Sequence, residues 1–168
     1  MNFKLALLTA SLALVPTFAS AGTLQITGEI QAPTCDYSSG SDTKTIALYP
    51  IDASQLKAAG DIAGHQNVDI ELNCTAALGR KVGIAFSHPD SVDPDTGDLM
   101  PKGTAENVQL TLIDEGGNQQ KFNGKPNNLK ETVNGTTTFR HTVAYKAKAP
   151  VTKAGTLNAT ATYTVVYE

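Results

Sequence analysis

The sequence predicts an all-β protein, because several of its segments alternate apolar and polar residues with a period of two. Successive side chains of a strand point to opposite faces, so this period is typical of strands that bury one face. Charged residues are 17% of the chain, which is low for a globular domain, and the 168 residues include 14 glycines and 8 prolines. This composition favours strands that are joined by turns.

The first 21 residues have the features of a secretory signal peptide. Lys4 supplies the positive charge, residues 5–15 form an apolar run, and Ala19-Ser20-Ala21 is a small-x-small cleavage site. We therefore expect a mature chain that starts at Gly22 and forms one domain. The apolar run is too short to span a bilayer, and no later segment predicts membrane insertion.

The two cysteines, Cys35 and Cys74, both remain after this cleavage. An exported chain meets an oxidising compartment, so we expect a disulfide between them; the alternative is a pair of free buried thiols. The formal net charge of −3 gives no indication of binding to nucleic acid.

Residues 22–30 form a strongly alternating segment at the start of the mature chain. Leu24, Ile26 and Ile30 share one face with Gly28, and a glycine within a strand often marks the close approach of another group. Pro33 cannot donate a ladder hydrogen bond, so it separates this strand from the rest of the chain.

Six strands are predicted in the body of the chain. They cover residues 45–49, 68–73, 82–86, 108–112, 136–148 and 157–168. A short returning strand is also expected at Phe122, and residues 52–60 are expected to form one or two helical turns with Asp52 or Ser54 as the cap and Gly60 at the end. Residues 88–103 are expected to be a loop with solvated aspartates.

The terminal strand has the clearest pattern in the chain. Its odd-numbered positions are all apolar or aromatic, and we expect one long strand that buries this face: Leu157, Ala159, Ala161, Tyr163, Val165 and Tyr167. The sequence ends here, so we expect no later strand to pair with its outer edge. An uncovered apolar edge is a template for pairing with another chain.

The number of body strands is one short of a complete sandwich. An immunoglobulin-like sandwich normally has seven strands, and the spare alternating strand lies before Pro33. The predicted fold is therefore an incomplete immunoglobulin-like β-sandwich with six body strands and an N-terminal strand outside the body.

Several motifs together make the chain resemble the type 1-like pilins, the structural subunits of fimbriae that are assembled by the chaperone-usher pathway. The motifs are the alternating leader with Gly28, a first cysteine after a proline, a second cysteine in Ile-Glu-Leu-Asn-Cys (70–74), the segment 103–114, Val-Ala-Tyr (143–145), Gly155 at the fourteenth position from the end, and the penultimate aromatic Tyr167.

The resemblance implies a cell-surface fimbrium whose subunits are exported through the periplasm and contribute to cell adhesion. It implies a groove beside the terminal strand that a periplasmic chaperone first fills. At the outer-membrane usher, the N-terminal extension of the next subunit then replaces the chaperone, which is donor-strand exchange. The domains would be a signal peptide (1–21), a donor-strand extension (22–34) and a pilin domain (35–168).

The resemblance also assigns roles to individual residues. Leu24, Ile26, Gly28 and Ile30 would be the donor residues that enter a neighbouring subunit. The acceptor groove strand would contain Gly155, Leu157, Ala159, Ala161, Tyr163, Val165 and Tyr167. The short leader is similar to that of minor or adaptor subunits, and the chain leaves no room for the lectin domain of a two-domain tip adhesin.

Three alternatives remain open on the residues alone. The leader would be an ordinary first strand of its own domain, the terminal strand would be covered by a loop, or the chain would be a free-standing secreted sandwich that binds a carbohydrate or protein ligand. An enzyme is not expected, because the sequence has no Gly-x-Ser-x-Gly motif and no spare cysteine if the bridge forms. His65, His88 and His141 lack the spacing of metal ligands, and His141 is expected in the core or at its rim.

Overall fold

Strands and turns make up the structure, which is a computed structural model that describes residues 25, 27, 34–77, 79–88, 91–132 and 135–168. Within these ranges the strands are β1 (Asp36–Tyr37), β2 (Ile62–Asn73), β3 (Lys81–Ser87), β4 (Lys102–Gly103), β5 (Val108–Asp114), β6 (Lys130–Glu131), β7 (Thr136–Ala147), β8 (Leu157–Asn158) and β9 (Thr162–Tyr167). Two 3₁₀ turns lie at Ala53–Gln55 and Thr75–Ala77. Among the residues described, no helix has the length and apolar character needed to cross a membrane.

The strands form two main antiparallel sheets and a small pair. One sheet has the order β1-β2-β7-β5, the other has the order β6-β3-β9, and β4 pairs with β8. The longest pairing joins β2 to β7 from Ile62↔Lys146 to Asn73↔Thr136, with a bulge between Ala63 and Gln66. The alternating patterns of residues 68–73, 82–86, 108–112 and 136–148 are therefore confirmed as strands.

The core lies between the two main sheets and is built from the apolar faces that the alternation predicted. Ile70 and Leu72 of β2 and Phe139 of β7 pack in one buried cluster with Ile84 and other residues of β3. Ile70 and Leu72 are fully buried. Because both sheets contribute to a single cluster, the fold is the all-β sandwich that the sequence predicts.

A disulfide ties the beginning of β1 to the end of β2. The bond joins Cys35 to Cys74 across a sequence separation of 39, and both residues are buried. Closing a loop of this length stabilises the fold by about 4 kcal/mol in the loop-entropy account. The predicted disulfide is confirmed.

Two of the predicted strands are wrong. Residues 45–49 are not a strand, because none of the strands in the described ranges pairs with them and an isolated strand is unstable in water. Phe122 lies outside any strand, although its backbone N–H donates to the Gly97 carbonyl at 3.0 Å and its side chain is buried.

Between residues 52 and 60, the structure has a shorter helical segment than the one or two turns that were expected. A single 3₁₀ turn spans Ala53–Gln55, and the Asp52 carboxylate caps it by accepting a hydrogen bond from the Ser54 N–H at 2.7 Å. Gly60 ends no helix; it has a φ of 93° and lies in the turn that leads into β2. This positive φ explains the choice of glycine.

The loop before β4 covers the outer edge of β5, and two of its aspartates are buried, whereas solvated aspartates were expected. Leu99 and Leu110 exchange two backbone hydrogen bonds of 2.9 Å, so the loop pairs with the edge strand. Asp93 and Asp98 are fully buried. Asp93 binds the Lys148 ammonium at 2.5 Å, and this hydrogen bond lowers the pKa of its carboxyl from 3.8 to about 2. Buried carboxylates require such partners.

The salt bridge of Asp93 predicts a specific dependence of stability on pH. The pKa of its carboxyl is lower in the folded chain than in the unfolded chain, so its contribution is present above pH 3.8 and is lost as the pH falls towards 2. We expect Asp93→Asn to lower the free energy of unfolding at pH 7 and to flatten its decline below pH 4, as measured by urea unfolding of the mature chain.

The matched control is Asp95→Asn, because Asp95 is exposed in the same loop. This variant should keep the pH profile of the wild type. If Asp93→Asn shifted the whole curve without changing its slope below pH 4, the carboxylate would not be the group that titrates.

Candidate strand-acceptor site

The last strand, β9, lies at the edge of its sheet. It pairs with β3 from Val82↔Tyr167 to Ser87↔Thr162, and β3 in turn pairs with β6 on its other side. Among the strands of the described ranges, none pairs with the second side of β9. An edge strand of this kind presents a row of unpaired backbone N–H and C=O groups.

The register identifies which residues present these groups. In an antiparallel ladder, residues alternate between those whose backbone groups face the partner strand and those whose groups face away. The Glu168 N–H donates to the Lys81 carbonyl at 2.9 Å, so the even-numbered residues of β9 face β3. The backbone groups of Tyr163, Val165 and Tyr167 therefore face outward, and we call these three residues the acceptor edge.

The apolar face beside this edge is only half-covered. All six odd-numbered residues from 157 to 167 are half-buried, whereas their even-numbered neighbours are exposed except for the half-buried Val166. Ala159, Ala161 and the three residues of the acceptor edge pack against the core cluster. The sequence predicts a buried face, but the structure shows a half-buried one. The face contacts the core and remains partly exposed to solvent.

The terminal segment is also not the single long strand that the sequence predicts. Leu157–Asn158 pairs with β4, whereas Thr162–Tyr167 pairs with β3. Residues 159–161 form no ladder between these two pairings. The reason is that the segment changes partners, which a pattern of apolar residues does not reveal.

An apolar cavity of about 320 Å³ lies where this terminal segment begins. It is lined by Leu48, Pro50, Ile51, Ala53, Leu56, Ala105, Val108, Tyr145, Val151, Ala154, Gly155, Thr156 and Leu157. Nearby in the chain, Ile46 and Tyr49 are 37% and 73% exposed. The cavity thus lies between the start of the terminal segment and the exposed segment 45–49, which has a strand-like pattern. That pattern was visible in the sequence, but the cavity was not.

Gly155 sets the path of the chain at this end of the site. A Cβ atom at this position would lie 2.3 Å from Thr104 Oγ1 and 2.5 Å from the Ala105 backbone nitrogen. The adjacent Thr156 carbonyl accepts a hydrogen bond of 3.0 Å from the Thr104 N–H. Only glycine allows the two backbones to approach this closely, so Gly155 positions the terminal segment beside β4.

A tyrosine cluster contacts the other end of the site. The Tyr37 hydroxyl donates to the Tyr163 carbonyl at 3.3 Å, and the two rings are perpendicular with centroids 5.6 Å apart. The Tyr163 hydroxyl donates to the Ser41 carbonyl at 2.5 Å. The Tyr167 hydroxyl accepts a hydrogen bond of 2.7 Å from the Cys35 N–H. The contacts of Tyr37 and Ser41 with β9 were not predicted, because both residues lie in a Ser/Gly-rich segment without periodicity.

The remaining predicted site residues divide into two groups. The donor residues Leu24, Ile26, Gly28 and Ile30 and the signal peptide lie outside the described residues, so their roles stay predictions. His141 is 6% exposed and its ring lies 4.8 Å from that of Phe86, which makes it the core residue that was expected. Its burial lowers the pKa of the imidazole.

The fold and the site together define an open β-sandwich that leaves one edge strand uncovered beside a half-covered apolar face. The profile of the fimbrial protein family matches residues 24–168, and the chain belongs to this family. It is 32% identical over 167 residues to the type-1 fimbrial protein A chain of Escherichia coli, covering 95% of this chain and 90% of that relative. It is 30% identical over 161 residues to the type 1 fimbrial subunit of Salmonella typhimurium, covering 91% and 86%.

Solved structures confirm the fold. A subunit from a chaperone-usher pilus structure superimposes with a TM-score of 0.67 at 24% identity, covering 92% of this chain and all of that one (100%). The P pilus rod subunit PapA superimposes with a TM-score of 0.64 at 22% identity, covering 82% and 100%. The resemblance to pilins is therefore confirmed, and the family is one of structural fimbrial subunits rather than enzymes.

The close crossing at Gly155 predicts that Gly155→Ala destabilises the fold. The new methyl group would force the backbones of residues 104–105 and 155 apart, and overpacking of this kind costs about 1–3 kcal/mol. We expect a lower melting temperature for the mature chain, measured by circular dichroism. The control Thr152→Ala changes an exposed side chain nearby and should melt like the wild type. Equal melting temperatures for all three proteins would contradict the packing argument.

Proposed function

We propose that the chain is a structural subunit of a chaperone-usher fimbrium that polymerises by donor-strand exchange. In this proposal, residues 22–30 are donated to one neighbouring subunit, and the acceptor edge receives the leader of another. One observation carries the proposal: the outward backbone groups of Tyr163, Val165 and Tyr167 lie beside an apolar face that the fold leaves half-covered. Residues 1–21 are then the signal peptide, 22–34 the donor extension and 35–168 the pilin domain.

The chemistry of the leader fits this edge. Strand addition gains affinity from backbone hydrogen bonds and specificity from pockets for alternate side chains. Leu24, Ile26 and Ile30 would contribute about 1.5–3 kcal/mol each when buried, and each ladder hydrogen bond adds at best about 1 kcal/mol. Gly28 would pass the narrowest part of the groove. From this sum we expect a filament joined in this way to come apart slowly.

The exposed segment 45–49 supplies the second side of the proposed groove. Residues 48–51 and 154–157 both contribute to the lining of the apolar cavity, so a strand inserted at this end would contact both segments. The inserted strand would be the partner that residues 45–49 lack in the described structure. This accounts for a segment with strand-forming residues that is nevertheless exposed.

The proposed partners follow from the open edge and from the export signal. A periplasmic chaperone would cover the acceptor edge before assembly, because an uncovered edge promotes aggregation. An outer-membrane usher would then exchange it for the next leader, and the finished fimbrium would lie on the cell surface and contribute to adhesion. The Cys35–Cys74 disulfide supports passage through an oxidising compartment.

Deletion of residues 22–30 tests the acceptor role. We expect the shortened protein to bind a synthetic peptide with the sequence of residues 22–30 and to melt at a higher temperature with it, because the peptide completes the sandwich. The intact mature chain should form polymers without a chaperone. A stable monomer that ignores the peptide, measured by calorimetry and light scattering, would favour a free-standing binding module instead.

A single change in the leader tests the donor role. We expect Ile26→Asp to abolish assembly into fibres, because a charged side chain would enter the apolar groove, and to leave capture by the chaperone unchanged. The control is Gln25→Asp, which places the same charge on the opposite face of the strand and should still assemble. Electron microscopy of fibres and chaperone co-purification measure the two outcomes. Normal fibres from the Ile26 variant would exclude the donor role.

A further inference from the structure

The segment that contacts the acceptor edge is itself firmly held. Residues 35–41, which we call the strap, are attached to β2 through the disulfide at Cys35 and through backbone hydrogen bonds. The Ser38 N–H donates to the Glu71 carbonyl at 2.9 Å, and the Glu71 N–H donates to Ser41 Oγ at 3.1 Å. Ser41 is only 2% exposed. The strap is therefore a fixed part of the first sheet.

Three tyrosine hydroxyls connect this strap to β9 in the second sheet. Tyr37 binds the carbonyl of Tyr163, the Tyr163 hydroxyl binds the carbonyl of Ser41, and Tyr167 binds the backbone of Cys35. Burial raises the pKa of both Tyr37 and Tyr163, so these hydroxyls keep the proton that they donate. The strap and β9 are therefore joined across the gap between the sheets by hydrogen bonds to hydroxyl groups from both segments.

One of these bonds uses a group that an incoming strand also requires, and the other two hold the strap beside it. The Tyr163 carbonyl belongs to the acceptor edge, and a paired donor strand would supply its hydrogen bond from a backbone N–H. The beginning of the terminal segment differs, because a cavity of about 320 Å³ lies there. One end of the site is thus open and the other end is occupied.

We propose that Tyr37, Tyr163 and Tyr167 form a latch that closes one half of the acceptor edge until a donor strand displaces its hydrogen bonds. This inference rests on the proposed function, since it concerns the same edge. A donor strand that pairs along the acceptor edge would take over the Tyr163 carbonyl and so open the latch. The latch exchanges side-chain hydrogen bonds for a backbone ladder, so its opening controls the rate of pairing.

The test compares the rates at which the leader peptide associates with the mature chain that lacks residues 22–30, in which no leader of the protein itself fills the acceptor edge. A fluorescent peptide of residues 22–30 is mixed with the wild type, Tyr37→Phe, Tyr163→Phe and the double variant, all in this shortened form, and anisotropy is followed with time. Loss of a latch hydroxyl should raise the association rate about two- to tenfold, the factor expected for one neutral hydrogen bond. The control Tyr49→Phe, at a residue that is 73% exposed, should keep the wild-type rate.

Melting of the peptide complexes separates a latch from a merely structural contact. The latch bonds are already broken in the complex, so the variant complexes should melt at the wild-type temperature while the peptide-free variants melt lower. Wild-type association rates in all latch variants, or complexes that lose stability along with the free proteins, would overturn the latch and leave the proposed function intact. Failure of the wild type to bind the peptide would overturn both.

Discussion

The need of a β-strand for hydrogen-bonding partners on both of its edges governs this structure. β9 satisfies that need on one side through β3, and its outward groups at Tyr163, Val165 and Tyr167 have no partner strand among the described residues. The other long edge strand, β5, is covered along its outer edge. There, Leu99 and Gln119 bridge to the free side of β5. Of the two long edge strands in the described residues, β5 and β9, only β5 has bridges along its outer edge.

The surrounding structure holds this edge in place. Gly155 allows the terminal segment to lie directly against residues 104–105, and the disulfide fixes the strap that faces β9. The ion pair of the buried Asp93 carboxylate with the half-exposed Lys148 attaches the covering loop to the end of β7. These interactions fix the residues that border the groove, and a groove held in place in this way loses little conformational entropy when a strand enters it.

Local patterns in the sequence predict those features of the fold that depend only on residues close together in the chain. Strands β2, β3, β5 and β7 follow from their period of two, because each buries one face in the same core. Residues 45–49 have the same pattern and form no strand, because a strand also depends on a partner. The aspartates of the loop were expected to be solvated, but Asp93 and Asp98 are buried and bind lysines. These lysines lie 55 and 48 residues away in the sequence. Contacts of that kind leave no local signal.

Amide hydrogen exchange along β9 tests most directly whether the sandwich lacks one strand. In the protein without residues 22–30, the account predicts slow exchange at Thr164 and Val166, which face β3, and fast exchange at Tyr163 and Tyr167, which face outward. Addition of the leader peptide should slow exchange at the second pair to match the first. Slow exchange at all four amides before the peptide is added would show that the edge is already paired, and it would contradict the account.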